Sequence, residues 1–455
     1  MTATAEKFDL TIDGSGAGTP QAPAAEATAE ATTEARTART KRTPNSRLSV
    51  VTTERRHVPK PSGKPDPVAH LTAEDIEELG RELDALRQEV LGSRGASDAA
   101  YIRKVIKAQR WLEMGSRGVL LFSIFPPAWL VGTAGLSVAK IIENMEIGHN
   151  VMHGQWDWMR DPKIHSTTWE WDNASPSEFW KHSHNQLHHT YTNVIGRDND
   201  LGYGIMRVDE DQRWVPSYLG QPFYNFLNML VFEYGIAAYD LELGAYVKGR
   251  GKDKETFRRD AKKVLRKIGR QARRDYVIHP LLSGPSFLHT MAANAVANVV
   301  RNVWTHSVIM CGHFPEGVET FAKASIEGET RGEWYLRQML GSANISGSKA
   351  MHFMTGNLSH QIEHHLFPDL PSNRYAEVAP KIREICDRYG LTYTTGSLPH
   401  QVASAWKQVV VLSLPNAQPG RTRVSIAAEA VGKRVRRRLR GVTGMPRGRQ
   451  GGARA

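Results

Sequence analysis

The first sustained pattern of apolar and polar positions lies at residues 72–90. Thr72 with Asp75 three residues on has the form of a capping box, and Ile76, Leu79, Leu83, Leu86 and Val90 follow at spacings of three and four. The pattern predicts an amphipathic helix packed on the protein's own core. Three uncharged stretches come next, at 118–139, 214–232 and 276–300. The first has 22 residues, and as one helix it would span about 33 Å, enough for a bilayer core. Pro126-Pro127 inside it predicts a kink or a break. The second is rich in aromatics, as expected near a membrane interface. Together the three predict membrane spans.

Residues 252–275, between the second and third stretches, carry eleven Lys/Arg and four acids around Val264, Leu265 and Ile268. This reads as an amphipathic surface helix, placed in the cytoplasm by the positive-inside rule. The number of spans, and so the side of this segment, stays open. Residues 1–70 are rich in Ala, Thr, Pro and Glu without apolar period and read as a disordered extension lacking a signal-peptide h-region. The run Gly14-Ser15-Gly16-Ala17-Gly18 follows no strand and opens no helix, so it is no nucleotide fingerprint.

Composition refines this picture in two places. A mean hydropathy of −0.44 excludes a chain that is mostly lipid-embedded, but not a few spans diluted by polar ends. The formal charge is +12, and residues 421–455 supply +10 of it through eleven Lys/Arg against Glu429. The remainder is near neutral, which removes the basis for a nucleic-acid-binding face. The tail reads as a disordered basic arm able to touch anionic lipid. Two cysteines, Cys311 and Cys386, exclude a disulfide scaffold and a Cys-rich zinc or iron–sulfur site.

The histidines carry the chemistry. Of 18, most fall in clusters: His149 and His153; His182, His184, His188 and His189; His360, His364 and His365; with His306 and His313 ahead of the last. Residues four apart on a helix share a face, so His149/His153, His184/His188 and His360/His364 can each converge. An adjacent pair diverges by about 100°, which lets His188 and His189, or His364 and His365, reach two metals. Neutral imidazole binds Fe, Zn, Cu or Ni, and eight imidazoles are too many for one ion.

These clusters resemble the three histidine boxes of the membrane-bound fatty acid desaturases, H-x(3,4)-H, H-x(2,3)-H-H and [HQ]-x(2,3)-H-H. His149/His153 match the first, His184/His188/His189 the second and His364/His365 the third, with Leu366-Phe367-Pro368 following as is typical of acyl-lipid and acyl-CoA desaturases. The resemblance covers residues 110–400. The third box reads from His360 or from Gln361, with Gln361 preferred. The family draws a further ligand from the preceding helix, where His313 is preferred over His306.

The resemblance implies metal ligands His149, His153, His184, His188, His189, His313, His364 and His365, with no catalytic side chain beyond them. It implies two iron ions and O2 as co-substrate, and removal of hydrogen from two neighbouring methylenes of an acyl chain. Asp157, Asp161, Glu170 and Glu363 are candidates for orienting ligand imidazoles, each also readable as a plain surface carboxylate. No Cys-rich, Gly-rich or His-Pro-Gly-Gly motif supplies a redox cofactor, so an external ferredoxin- or cytochrome-type donor with an NAD(P)H reductase is implied. The acyl group arrives on CoA, carrier protein or a lipid ester.

The expected architecture is all-α: a polytopic membrane helical bundle with a cytoplasmic helical cap carrying the boxes, in a bacterial plasma membrane with the site facing the cytoplasm. Its parts are an extension (1–70), an amphipathic helical segment (71–110), transmembrane helices with boxes 1 and 2 (111–315), a cytoplasmic helical region with box 3 (316–415) and a basic disordered tail (416–455). The rival readings are a di-iron hydroxylase acting on alkane, carotenoid or sphingoid lipid, and a metal-transport or metal-storage membrane protein. Box 2 and box 3 in polar sequence speak against transport.

Overall fold

The computed structural model describes residues 63, 65–198 and 200–442; the Gly14–Gly18 run and most of the expected N-terminal extension lie outside them. Thr72 caps the helix Ala73–Gly92 as its sequence predicts: Asp75 N donates to Thr72 Oγ1 at 3.1 Å, and Thr72 N to Asp75 Oδ2 at 2.8 Å. Its apolar stripe meets the helices Arg331–Leu340 and Tyr375–Arg388 in one core with Tyr335, Met339, Val378 and Ile382. Two glycines set the distance of closest approach. A Cβ on Gly80 would lie 3.1 Å from Gly332 Cα, and one on Gly332 would run into the Ile76 carbonyl. Ile362 and Leu366 of the short helix Gln361–Leu366 are buried in this same core, which thereby carries box 3.

A second layer is built by the helices Ala96–Leu120, Pro126–Ile142 and Phe287–His313, which pack on one another. The first apolar run is not one helix. Phe125 takes an extended conformation (φ −88°, ψ 122°) and Pro126 starts a new helix at its first position, because the residue before a proline is driven from the α region. The second run breaks into Pro216–Gly220, Gln221–Leu230 and a new helix, Phe232–Asp240. The third begins with a π-helical turn, Arg274–Ile278, and only from Phe287 forms a long helix, whose buried face includes Asn294, Asn298, Arg301 and Asn302. Among the described residues no helix is long and apolar enough to cross a membrane. That overturns the expected polytopic membrane bundle with its cytoplasmic cap, and with it the integral plasma-membrane location. The hydropathy sum runs across helix breaks, and the longest helix buries amide and guanidinium groups.

Two further differences are local. A two-stranded parallel sheet pairs β1 (Asn344–Ser346) with β2 (Thr395–Ser397), register Ile345 opposite Gly396, inside an otherwise helical fold. Part of the tail expected to be disordered forms the helix Arg423–Val442. Thr422 Oγ1 accepts from Ser425 N at 3.1 Å, Arg423 pairs with Glu210 at 3.2 Å, and Ala427 is buried, so the basic segment is anchored at its start.

Buried charge ties the second layer to the chain around box 1. Lys140 Nζ lies 3.0 Å from Asp172 and 2.9 Å from Asp275, and Arg117 (3.0 Å) and Arg274 (2.8 Å) also reach Asp275. Arg301, fully buried, pairs with Glu233.

Candidate metal centre

Box 1 sits where the helix Pro126–Ile142 widens into a π-helical turn, Glu143–His149; His153 ends the short helix that follows. Box 2 lies on a second π-helical stretch, Lys181–His188, with His189 next. In these wider i→i+5 turns, residues four and five apart face the same side. His184, His188 and His189 therefore point inward together, whereas an α-helix would turn His189 away from His188. His364 and His365 come from Gln361–Leu366, and His313 is the last residue of Phe287–His313.

The eight histidines meet around two foci. His149, His153, His184 and His364 form one group and His188, His189 and His365 the other, with ring nitrogens in each within 4.8 Å of one another. His313 joins the second group, its Nε2 lying 3.2 Å from His365 Nε2. His364 and His365 thus part between the foci, as an adjacent pair on an α-helix must. His188 and His189 do not, contrary to the divergence that α geometry predicts for them.

The other histidines stand apart. His306 Nε2 lies 3.0 Å from Asn225 Oδ1, and its ring meets Phe232 edge-on. His360 stacks on His352 at 4.5 Å, while Gln361 Nε2 is 3.0 Å from His313 Nε2. His182 bonds Gln186 and His165 bonds Thr167.

Five of the eight imidazoles are held from behind through Nδ1 by residues distant in the chain or on the following loop, whereas His189 Nδ1 has no partner among the described residues. His184 Nδ1 is 2.8 Å from Asp200 Oδ2, His188 Nδ1 3.0 Å from Asp198, His364 Nδ1 3.1 Å from the Tyr375 hydroxyl and His365 Nδ1 3.1 Å from Gln338 Oε1. His313 Nδ1 is 3.2 Å from the Gly341 carbonyl. These contacts aim Nε2 at the centre, the arrangement that orients metal-binding histidines. Of the carboxylates considered for this role from sequence, none bonds a box histidine. Asp157 accepts from Ser166, Asp161 from Arg103, and Glu170 pairs with Lys267. Glu363 accepts from Asn344 and Tyr393. Asp198 and Asp200 were missed, although an acidic pair nine and eleven residues after box 2 was a visible signal.

Burial keeps seven of the eight rings neutral. It lowers His149 to about 4 and His313 to about 3, and holds His153, His184, His189, His364 and His365 well below the ordinary histidine range, their neighbours adding repulsion. For His188 burial also favours the neutral form, but Asp198 and Asp200 outweigh it and raise the pKa. The Nε2 atoms of His153, His184, His189 and His364 are buried without a hydrogen-bond partner among the described residues. A buried unsatisfied polar atom costs about 1–3 kcal/mol, so several at one point fit a site built around a cation that takes lone pairs. An all-imidazole set suits a transition metal rather than Mg2+ or Ca2+.

Beside both foci runs an apolar cavity lined by Trp171, Trp180, Phe232, Ile236, Ile309 and Leu358 and reaching His149, His184, His188 and His313. Phe232, the last residue of a stretch predicted to span a membrane, is one of its walls. The π-helical turn that ends in His149 also holds Glu146, whose carboxylate accepts from Tyr101 Oη (2.8 Å), Ser372 Oγ (2.7 Å) and Asn357 Nδ2 (2.9 Å). Burial raises Glu146 to about 7 despite these donors. A carboxyl raised in the folded state binds more protons there than in the unfolded chain, so its ionisation erodes stability as pH rises towards 7. Glu146→Gln should therefore flatten the fall of the thermal midpoint between about pH 5 and 8 relative to wild type; parallel curves in differential scanning fluorimetry would contradict this.

The comparisons with known proteins agree with this geometry. The profile of the fatty acid desaturase family matches residues 125–397, the span that contains all three boxes. The chain is 53% identical over 355 residues to an NADPH-dependent stearoyl-CoA 9-desaturase of Mycobacterium tuberculosis (strain ATCC 25618 / H37Rv), covering 77% of this chain and 83% of that one. It is 26% identical over 321 residues to an sn-1 linoleoyl-lipid 6-desaturase of Synechocystis sp., covering 69% of this chain and 88% of the relative. No solved structure matches. With its histidines gathered beside an apolar cavity and the family profile spanning more than half its length, this chain belongs to the fatty acid desaturase family, oxidoreductases that act on acyl chains.

Proposed function

We propose that the eight-histidine cage holds two iron ions through the inward-facing ring nitrogens of His149, His153, His184, His188, His189, His313, His364 and His365, and that the protein desaturates a saturated acyl-CoA of stearoyl length at carbon 9. The observation that carries this reading is the convergence of the three boxes and His313 on two foci along one wall of an apolar cavity. The substrate, position and reductant follow the 53% identical relative, a stearoyl-CoA 9-desaturase that is NADPH-dependent. Electrons come from an external carrier reduced by NADPH.

Bound iron supplies the O2-dependent oxidation that no side chain can perform on an unactivated methylene. The chain's own residues do the rest. Asp198, Asp200, Tyr375 and Gln338 fix the imidazole planes. Trp171, Trp180, Phe232 and Ile236 exclude water and hold the acyl chain so that two neighbouring methylenes face the foci. Cells expressing the chain and fed stearate should accumulate the 9-monounsaturated acid by gas chromatography–mass spectrometry. A product that retains oxygen would instead assign a hydroxylase.

A further inference from the structure

The helix Lys254–Arg273 turns Arg258, Lys262, Arg266, Arg270 and Arg273 to solvent at spacings of three and four. Like charges so placed repel along a helix. The cations beside them are paired, Lys263 with Glu178 at 2.7 Å and Lys267 with Glu170, but no ion pair among the described residues takes up these five. Leu265, 67% exposed, stands within the ridge they form. Nothing within the described chain offsets this concentration of one sign, so it is suited to an external anionic surface.

The inner face of the same helix leads to the cage. Val264, with Phe257, Ala261 and Ile268, packs on Ala174, Ala237 and Leu241. Lys267 Nζ donates to the Ser175 carbonyl at 2.6 Å and lies 5.9 Å from the centre of the Trp171 ring. Trp171 lies 5.2 Å from Trp180, and Trp180 stacks on His184 at 4.3 Å with the planes 20° apart. The helix that carries the charged ridge thus touches, through Lys267 on its inner face, a Trp171–Trp180 pair that ends on a box 2 histidine.

We propose that this ridge is the docking surface of an acidic one-electron carrier protein, whose electrons enter the cage by way of Trp171 and Trp180. The proposal rests on the desaturase reading of the cage, and the reaction's balance requires such a partner. One O2 takes up four electrons and four protons to become two waters. The two C–H bonds broken in forming the double bond supply two electrons and two protons. Two reduced carriers supply the other two electrons, and solvent the remaining protons. A ridge of one sign steers an oppositely charged partner and fixes its orientation, and Leu265 offers the apolar contact that the centre of an interface needs.

Binding of an acidic [2Fe–2S] ferredoxin to the purified full-length protein, measured by surface plasmon resonance over a salt series, tests this. The wild type should bind with an affinity that falls steeply with salt. Lys262→Glu/Arg266→Glu should weaken binding at least about tenfold and flatten the salt dependence. Lys104→Glu/Lys107→Glu, the same charge change on exposed positions of Ala96–Leu120, should match wild type. Phosphatidylserine vesicles form the second arm. If the Lys262→Glu/Arg266→Glu variant loses vesicle binding and keeps its ferredoxin affinity, the ridge is a lipid surface and the proposal is overturned. Unchanged ferredoxin affinity without any vesicle effect overturns it equally. Fatty-acid products are not read in this assay, so failure of the desaturase reading would appear separately, in the stearate-feeding profile.

Discussion

His364→Ala should abolish unsaturated product while leaving the protein folded. His364 is buried in the first focus, its ring 5.0 Å from His149 and 4.7 Å from His153, and its Nδ1 is fixed by the Tyr375 hydroxyl. The alanine removes one of four converging nitrogens and opens space for water where the set must stay dry. Loss of a group that only orients a ligand costs about 10–100-fold in metal affinity or activity, so loss of the ligand itself should leave less than about 1% of either. The helix that carries it should persist, because Ile362 and Leu366 anchor it in the core. Iron per chain and unsaturated product per unit of protein are the measurements. Asp198→Asn should fall in the intermediate range, since it removes no ligand but weakens the support of His188 and of the loop amides of Asn193 and Asp200. His360→Gln should stay active, because that ring stacks on His352 outside both foci. A fully active His364→Ala would remove the cage from the mechanism.

Lys140→Met should be the most destabilising single change outside the cage. The Lys140 ammonium is buried between Asp172 and Asp275, at 3.0 and 2.9 Å. Burial would raise the Asp275 pKa, but Lys140, Arg274 and Arg117 together hold it below the ordinary carboxylate range. A depressed carboxylate contributes stability above its unfolded pKa and loses it as pH falls towards the folded one. Removing the lysine leaves two facing carboxylates in the interior, and breaking a buried pair from one side costs about 3–5 kcal/mol. The expected result is a lower thermal midpoint and poor recovery of folded protein at neutral pH, largely relieved by Lys140→Arg. A Lys140→Met protein that melts with wild type would show that Arg117 and Arg274 suffice.

The two kinds of residue behind these predictions differed in how plainly the sequence announced them. The box histidines could be picked out because local spacing dictates which side of a turn they occupy, and the cap at Thr72 with its apolar stripe is equally local. The second focus was harder to read. Whether His188 and His189 diverge or converge depends on a π-helical turn, which a one-residue change of hydrogen-bonding register decides. Asp198 and Asp200 hold histidines only after a loop folds back, and Lys140, which follows the apolar run 118–139 in sequence, meets its partner Asp275 from 135 residues away. The membrane reading failed for a related reason. A run such as 118–139 is scored as if continuous, but the preference of Phe125 for extended backbone before Pro126 divides it. Nor does a window average register that Asn294, Asn298 and Arg301 sit on the buried side of their helix.

The contact between Gly80 and Gly332 works as a joint with no clearance. Gly332 lies at the start of the same helix that, six residues later, presents Gln338 to His365. A methyl group on Gly332 would overlap the Ile76 carbonyl and force the two helices apart, whereas one on Gly80, 3.1 Å from Gly332 Cα, would press them apart by only a few tenths of an ångström. That displacement is delivered at the far end to the side chain that sets the angle of an imidazole, where about 1 Å of error is worth roughly a hundredfold in rate. The alignment of the proposed metal centre is therefore toleranced partly from a buried helix contact outside the cage, by two residues that have no side chain and no chemistry of their own.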